Sequence, residues 1–138
     1  MTKNDLRIDL EQRVNNFIQD NYEWECFVQK HYDFEAQTGS FEIAVRYMML
    51  VDKYCVPEKR RHGGMSLTSM VHHLPSEESI ISFKDEDKTA IVSTEIKWQT
   101  GYRKGSNELY DYVFERVDED YFLDQIYLIT SSNRFECL

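Results

Sequence analysis

The positions Leu10, Val14, Phe17, Asn21, Trp24 and Val28 recur at steps of four and three residues, and Ile18 and Phe27 widen the same stripe. An α-helix gathers such positions on one face, so the spacing predicts a long amphipathic helix within residues 5–36, with Thr2 or Asn4 capping its start. Gly39 and Ser40 then close that element and cap a second helix, "FEIAVRYMMLVDKY", in which Ile43, Ala44, Tyr47, Met48, Val51 and Cys55 share a face. Pro57 ends it, because a proline ring has no N–H to continue the ladder.

After residue 75 the period changes from helical to alternating. "ESIISFK" predicts a strand and "DEDK" at 85–88 a turn. "TAIVSTEIKW" follows, with Ala90, Val92, Thr94, Ile96 and Trp98 on one face. "LYDYVFERV" sets Tyr110, Tyr112 and Phe114 against Leu109, Asp111, Val113 and Glu115, and a second acidic turn at 118–120 leads into "YFLDQIYLIT". Three or four sequential strands joined by tight turns form an antiparallel meander. Helices first and meander second predict an α+β fold with the helices on one sheet face, and with both faces of the Tyr110 strand carrying large side chains, that strand belongs mid-sheet. No repeat or linker interrupts the chain, so residues 1–138 are read as a single domain.

Composition sharpens this. A chain of 138 residues with 41% hydrophobic residues, 30% charged ones and a mean hydropathy of -0.61 has the make-up of one soluble domain with a sizeable core. The longest wholly apolar run, "YMMLV", is far shorter than the ~20 residues that span a bilayer, and the charged N-terminus has no secretory h-region. Three cysteines, Cys26, Cys55 and Cys137, match no metal spacing; they suit a reducing compartment, with Cys26 and Cys55 as buried thiols. The expectation is a cytoplasmic protein.

The net charge is -9, and from Asn107 onward eight acids stand against two cations. Such a field repels nucleic acid and favours basic partners. The two acidic turns, Asp85, Glu86 and Asp87 in one and Asp118, Glu119 and Asp120 in the other, are ordinary turn chemistry and equally a steering surface at the sheet edge. Against this background "KYCVPEKRRHGG" concentrates Lys53, Lys59, Arg60 and Arg61 at the exit of the second helix. Cations there complement the helix dipole, and Lys59, Arg60 and Arg61 are placed to pair with C-terminal acids.

Catalytic signatures are absent: no nucleophile elbow, zinc helix, phosphate loop or dinucleotide fingerprint occurs. His72 and His73 are adjacent, so an extended backbone sends them to opposite faces, and no metal or other cofactor is expected. Asp111 and Asp124 fall on neighbouring strands among tyrosines. They are either solvent-facing acids or, with Tyr110 and Tyr112, an acid–base pocket.

"NYEWECF" (21–27), "KYCVPEKRRHGG" (53–64) and the hairpin "YVFERVDEDYFLD" (112–124) together resemble the bacterial immunity proteins with a nuclear transport factor 2-like fold. The resemblance spans nearly the whole chain. It implies a cystatin-like α+β roll, a curved antiparallel sheet wrapped around helices to leave a conical pocket. It also implies a protein that neutralises a cognate toxin domain inside the producing cell, without catalysis. The charge pattern makes Asp85, Glu86, Asp87, Asp118, Glu119 and Asp120 the expected toxin contacts. The alternative is an enzyme or small-ligand binder of the same fold, using Tyr110, Asp111, Tyr112 and Asp124. Face-to-face pairing of the sheet into a homodimer is a further possibility.

Overall fold

The computed structural model describes residues 2–59, 65, 67, 71–101 and 103–138. Helix α1 runs Lys3–His31, strands β1 (Tyr32–Asp33) and β2 (Thr38–Gly39) form a small hairpin, and helix α2 runs Phe41–Tyr54. Strands β3 (Glu78–Asp85), β4 (Thr89–Lys97), β5 (Asn107–Val117), β6 (Asp120–Ile129) and β7 (Arg134–Glu136) follow. They pair antiparallel in sequence order, leaving β5 at the centre of an open sheet. The fold is α+β, with the helices packed against one face of an antiparallel sheet.

Thr2 caps α1 through a reciprocal capping box with Asp5, satisfying two backbone donors that a helix start leaves open. The predicted stripe is the buried one: Leu10, Val14, Phe17, Ile18, Trp24 and Val28 are all in the core, joined by Leu6 and Glu25. The helix ends at His31 instead of continuing to residue 36, because residues 32–39 turn back as the β1–β2 hairpin. Asp33 fixes its turn by accepting the amide hydrogens of Glu35 and Ala36. Gly39 belongs to that hairpin. A Cβ at this position would lie 2.6 Å from Cδ2 of Tyr32 and 2.9 Å from Cδ1 of Ile43. Gly39→Ala is therefore expected to destabilise the fold by about 1–3 kcal/mol through overpacking, read by chemical denaturation, with hydrogen exchange fastest in residues 32–39.

Helix α2 keeps most of its predicted face, with Tyr47 and Val51 packed against the core, but Leu50 is buried in place of Met48. Ile43 and Leu50 are buried, whereas Met48 and Met49 are exposed and Ala44 is only half-buried. The three aliphatic residues Met48, Met49 and Leu50 are equally hydrophobic on paper. Packing decides among them, since Trp24 donates its indole N–H to the Ile43 carbonyl at 3.0 Å and fixes how α2 rolls on α1. At the other end, Asp20 accepts from Tyr54 Oη at 2.5 Å and from Lys53 Nζ at 2.8 Å, tying the two helices together. The phenol of Tyr54 is pushed up to about 12 by burial and by the Asp20 charge.

Helix α2 also ends at Tyr54, three residues before Pro57. Cys55 is already extended and forms a parallel bridge to Leu123, with the Val56 N–H donating to the Leu123 carbonyl at 3.0 Å. Cys55 is buried as expected. Cys26 is exposed, because it lies on the side of α1 opposite the stripe.

Every inward position predicted for the meander is buried: Ala90, Val92, Thr94, Ile96 and Trp98 on and after β4, and Tyr110, Tyr112 and Phe114 on β5. Two bulges bend the sheet, one at Ile81 on β3 and one at Asp124 on β6. The second lets Leu123 and Ile126 both face inward. Strand β7 escaped prediction, since three residues offer no period.

Candidate functional site

Between α1, the segment 71–77 and the inner face of the sheet lies a cavity of about 280 Å³. Phe17, Trp24, Tyr47, Tyr110, Ile126 and Leu128 give it apolar walls, and Glu25, His72 and His73 are among its polar ones.

The two histidines diverge, as adjacent residues in an extended segment must. His72 turns to α1. Its backbone N–H donates to both oxygens of Glu25, at 3.0 and 3.1 Å, and its Nδ1 lies 2.7 Å from Glu25 Oε2. Asn21, one turn earlier on the helix, donates to Glu25 Oε1 at 2.9 Å. This accounts for Asn21 in an otherwise apolar stripe: it supports the carboxylate that holds the 71–77 segment against the helix.

His73 turns to the sheet, where Nδ1 lies 2.7 Å from Glu78 Oε1. Tyr112 Oη donates to Glu78 Oε2 at 2.7 Å and Thr94 Oγ1 donates to it at 2.6 Å. The His73 ring packs against Tyr110 with centroids 4.5 Å apart. His73 and Glu78 are both buried. A carboxylate accepting three hydrogen bonds is ionised, and the imidazole beside it carries the balancing charge. Burial alone would push the His73 imidazole down, but the charges of Glu78, Glu25 and Glu108 hold it above its ordinary value. Burial likewise opposes ionisation of Glu78, which His73 and the two hydroxyls reverse, lowering it. Burial pushes the phenols of Tyr110 and Tyr112 far up, so both remain neutral donors at neutral pH.

Tyr110 and Tyr112 are both buried on the inner face of the sheet: Tyr110 borders the cavity and Tyr112 joins the Glu78 network. Of the two readings open for Asp111 and Asp124, the structure takes the one outside the pocket. Asp111 points from the outer face of β5 and accepts from Ser93 across the β4–β5 pair at 2.7 Å. Asp124 sits in the β6 bulge and pairs with Lys59. Neither lines the cavity, so the base assigned to an Asp/Tyr pocket is not there; the side-chain carboxylates at its lining are Glu25 and Glu136, and Glu78 is linked to it through His73. Glu25 and Glu78 both had a signal: Glu25 falls next to the buried stripe at i+4 from Asn21, and Glu78 opens the first strand in phase with its inward face. The Lys59–Asp124 pair does join the helix exit to the sheet, as the cation cluster suggested; Arg60 and Arg61 lie outside the described residues.

The acidic turns come together at one end of the sheet, as hairpin tips rather than along an edge strand. Asp87 and Asp118 adopt left-handed backbone, with φ of 71° and 58°, which aspartate tolerates in tight turns. Arg116 reaches Asp87 at 3.4 Å, and Arg13 of α1 reaches Asp120 at 3.2 Å. Asp85, Asp87, Asp118 and Glu119 line a cleft of about 380 Å³ with Lys3 and Arg116.

Among the described residues no three His, Cys, Asp or Glu side chains gather as a metal site, and no helix is long and apolar enough to cross a membrane. No family model, curated protein or solved structure matches this chain.

Proposed function

We propose that the chain is an immunity-type binding protein, a nuclear transport factor 2-like roll that acts in the cytoplasm and grips a basic toxin domain with the acidic end of its sheet. The observation that carries this reading is the convergence of Asp85, Glu86, Asp87, Asp118, Glu119 and Asp120 at the tips of two neighbouring hairpins. Arg116 answers Asp87, Arg13 answers Asp120 and Lys84 lies 3.6 Å from Glu86, so among the described residues Asp85, Asp118 and Glu119 keep this end of the sheet net negative. Fields of this kind steer a positively charged partner and fix its orientation. A rigid sheet suits such a surface, because little ordering is left to be done on binding.

Replacing Asp85, Glu86, Asp118 and Glu119 together by alanine is expected to slow association with the toxin domain encoded beside this chain's gene by about tenfold or more at low salt, the gap closing as salt rises. Asp118 has left-handed backbone that alanine tolerates less well and Asp85 accepts the Asp87 N–H at 2.9 Å, so the thermal midpoint falls modestly, and the salt-dependent part of the rate change is what reports the field. Undiminished protection of cells expressing that toxin domain would overturn the assignment.

A further inference from the structure

The cavity beneath α1 has a use independent of the toxin reading. Its most costly feature is Glu78: a carboxylate buried with three partners is rarely better for stability than an apolar residue of the same size. What the arrangement does achieve is orientation. Glu78 takes the His73 Nδ1–H at 2.7 Å, and the Tyr110 ring flanks the imidazole at 4.5 Å. Among the described residues no group engages Nε2 of His73, and His73 borders the cavity. With the charge it carries beside Glu78, His73 offers Nε2–H as a fixed donor. The buried carboxylates nearby are already taken, since Glu25 is held by Asn21 and His72, and Glu78 by Tyr112, Thr94 and His73, while Glu136, the other carboxylate at the lining, is exposed and accepts from Gln125 at 3.5 Å.

We propose that this cavity is a binding site for a small, neutral, planar ligand carrying one strong hydrogen-bond acceptor, of the class of an aromatic ketone or aldehyde, with His73 Nε2–H as the donor. The apolar walls supplied by Phe17, Trp24, Ile126 and Leu128 suit an aromatic body, and about 280 Å³ accommodates one ring with a short substituent. An anion is disfavoured by the carboxylates around the cavity. A cation finds Glu25 and Glu78 already satisfied and Glu136 exposed to solvent, where water competes for it.

The test compares two isosteric probes, acetophenone and α-methylstyrene, which differ in having a carbonyl oxygen or a methylene at the same place. Each is titrated at about pH 6, where histidine is largely protonated, into protein with 15N-labelled histidine and tryptophan. Acetophenone is expected to saturate, shifting the His73 Nε2 and Trp24 indole resonances, and to bind about tenfold tighter than the hydrocarbon, as a hydrogen bond to a charged donor warrants. Leu128→Trp, which fills the cavity, should abolish saturation while leaving the His73–Glu78 signals in place. Equal affinity for the two probes, or no saturable shift at His73 and Trp24, overturns the proposal with the wild-type protein alone. Saturation that survives Leu128→Trp places binding elsewhere and overturns it too.

Discussion

Glu78→Ala is expected to cost about 3–5 kcal/mol of folding stability, measured by urea unfolding at about pH 6. The loss comes less from the missing carboxylate than from what it leaves behind. His73 would remain in the core with its charge uncompensated, and the hydroxyls of Tyr112 and Thr94 would lose their acceptor. Each buried orphan costs about 1–3 kcal/mol. Replacing both Glu78 and His73 by leucine removes the charge with its partner, so the double variant should lie closer to wild type than Glu78→Ala. A double variant as unstable as the single one would mean that the pair contributes shape rather than charge balance.

The same pair predicts a pH window. His73 is raised above its usual 6.5, so its contribution is complete below about that pH and fades as pH rises through the higher folded value. Glu78 is lowered below its usual 4.5, so its contribution is complete above about that pH and fades as pH falls through the lower folded value. The stability gap between wild type and Glu78→Ala should therefore be widest between about pH 4.5 and 6.5 and narrow on either side. A gap that stays the same from well below pH 4.5 to well above pH 6.5 would show that the two groups do not titrate as an ion pair.

The parts of this fold that were legible in the sequence are those with a sustained period. Eight residues of α1 and five of β4 and its exit repeat their pattern long enough to specify a buried face; six of the eight and all five are buried, with Asn21 and Phe27 half-buried. Helix α2 was misread at Met48, because Met48, Met49 and Leu50 are consecutive apolar residues and only Leu50 enters the core. The choice among them is made by Trp24 and Ile43, a contact between residues 19 positions apart. The site was legible only in half. Tyr110 and Tyr112 follow from alternation, whereas Glu25 and Glu78 look like the surface acids that most glutamates are. Their partners, His72 and His73, lie in a segment without periodicity, and only the folded chain brings Glu25 to His72 across 47 residues. Asp111 and Asp124 drew attention by standing among tyrosines, yet an alternating strand had already assigned Asp111 to the outer face, and the bulge at Asp124 has no sequence signature.

Phe17→Ala is expected to be nearly as damaging as loss of Glu78, at about 3–5 kcal/mol. Phe17 is 3% exposed and sits where three elements meet. Its ring meets Tyr54 of α2 edge-on, with centroids 5.4 Å apart, and Tyr112 of β5 at 6.1 Å. Aromatic pairs of this geometry add about 0.5–1.5 kcal/mol beyond the area they bury. The wall of the cavity would also retreat, so the void left by the ring merges with a space that already exists and the helix gains nothing by collapsing onto it. For a domain of this size a loss of that magnitude lowers the melting midpoint by roughly 10–20 °C, readable by calorimetry. Phe17→Leu keeps an apolar body on the stripe and should retain most of the stability. If alanine at this position costs less than about 1 kcal/mol, Phe17 is not the residue that seats α1 on the sheet, and the packing of helix against meander described above is wrong at its centre.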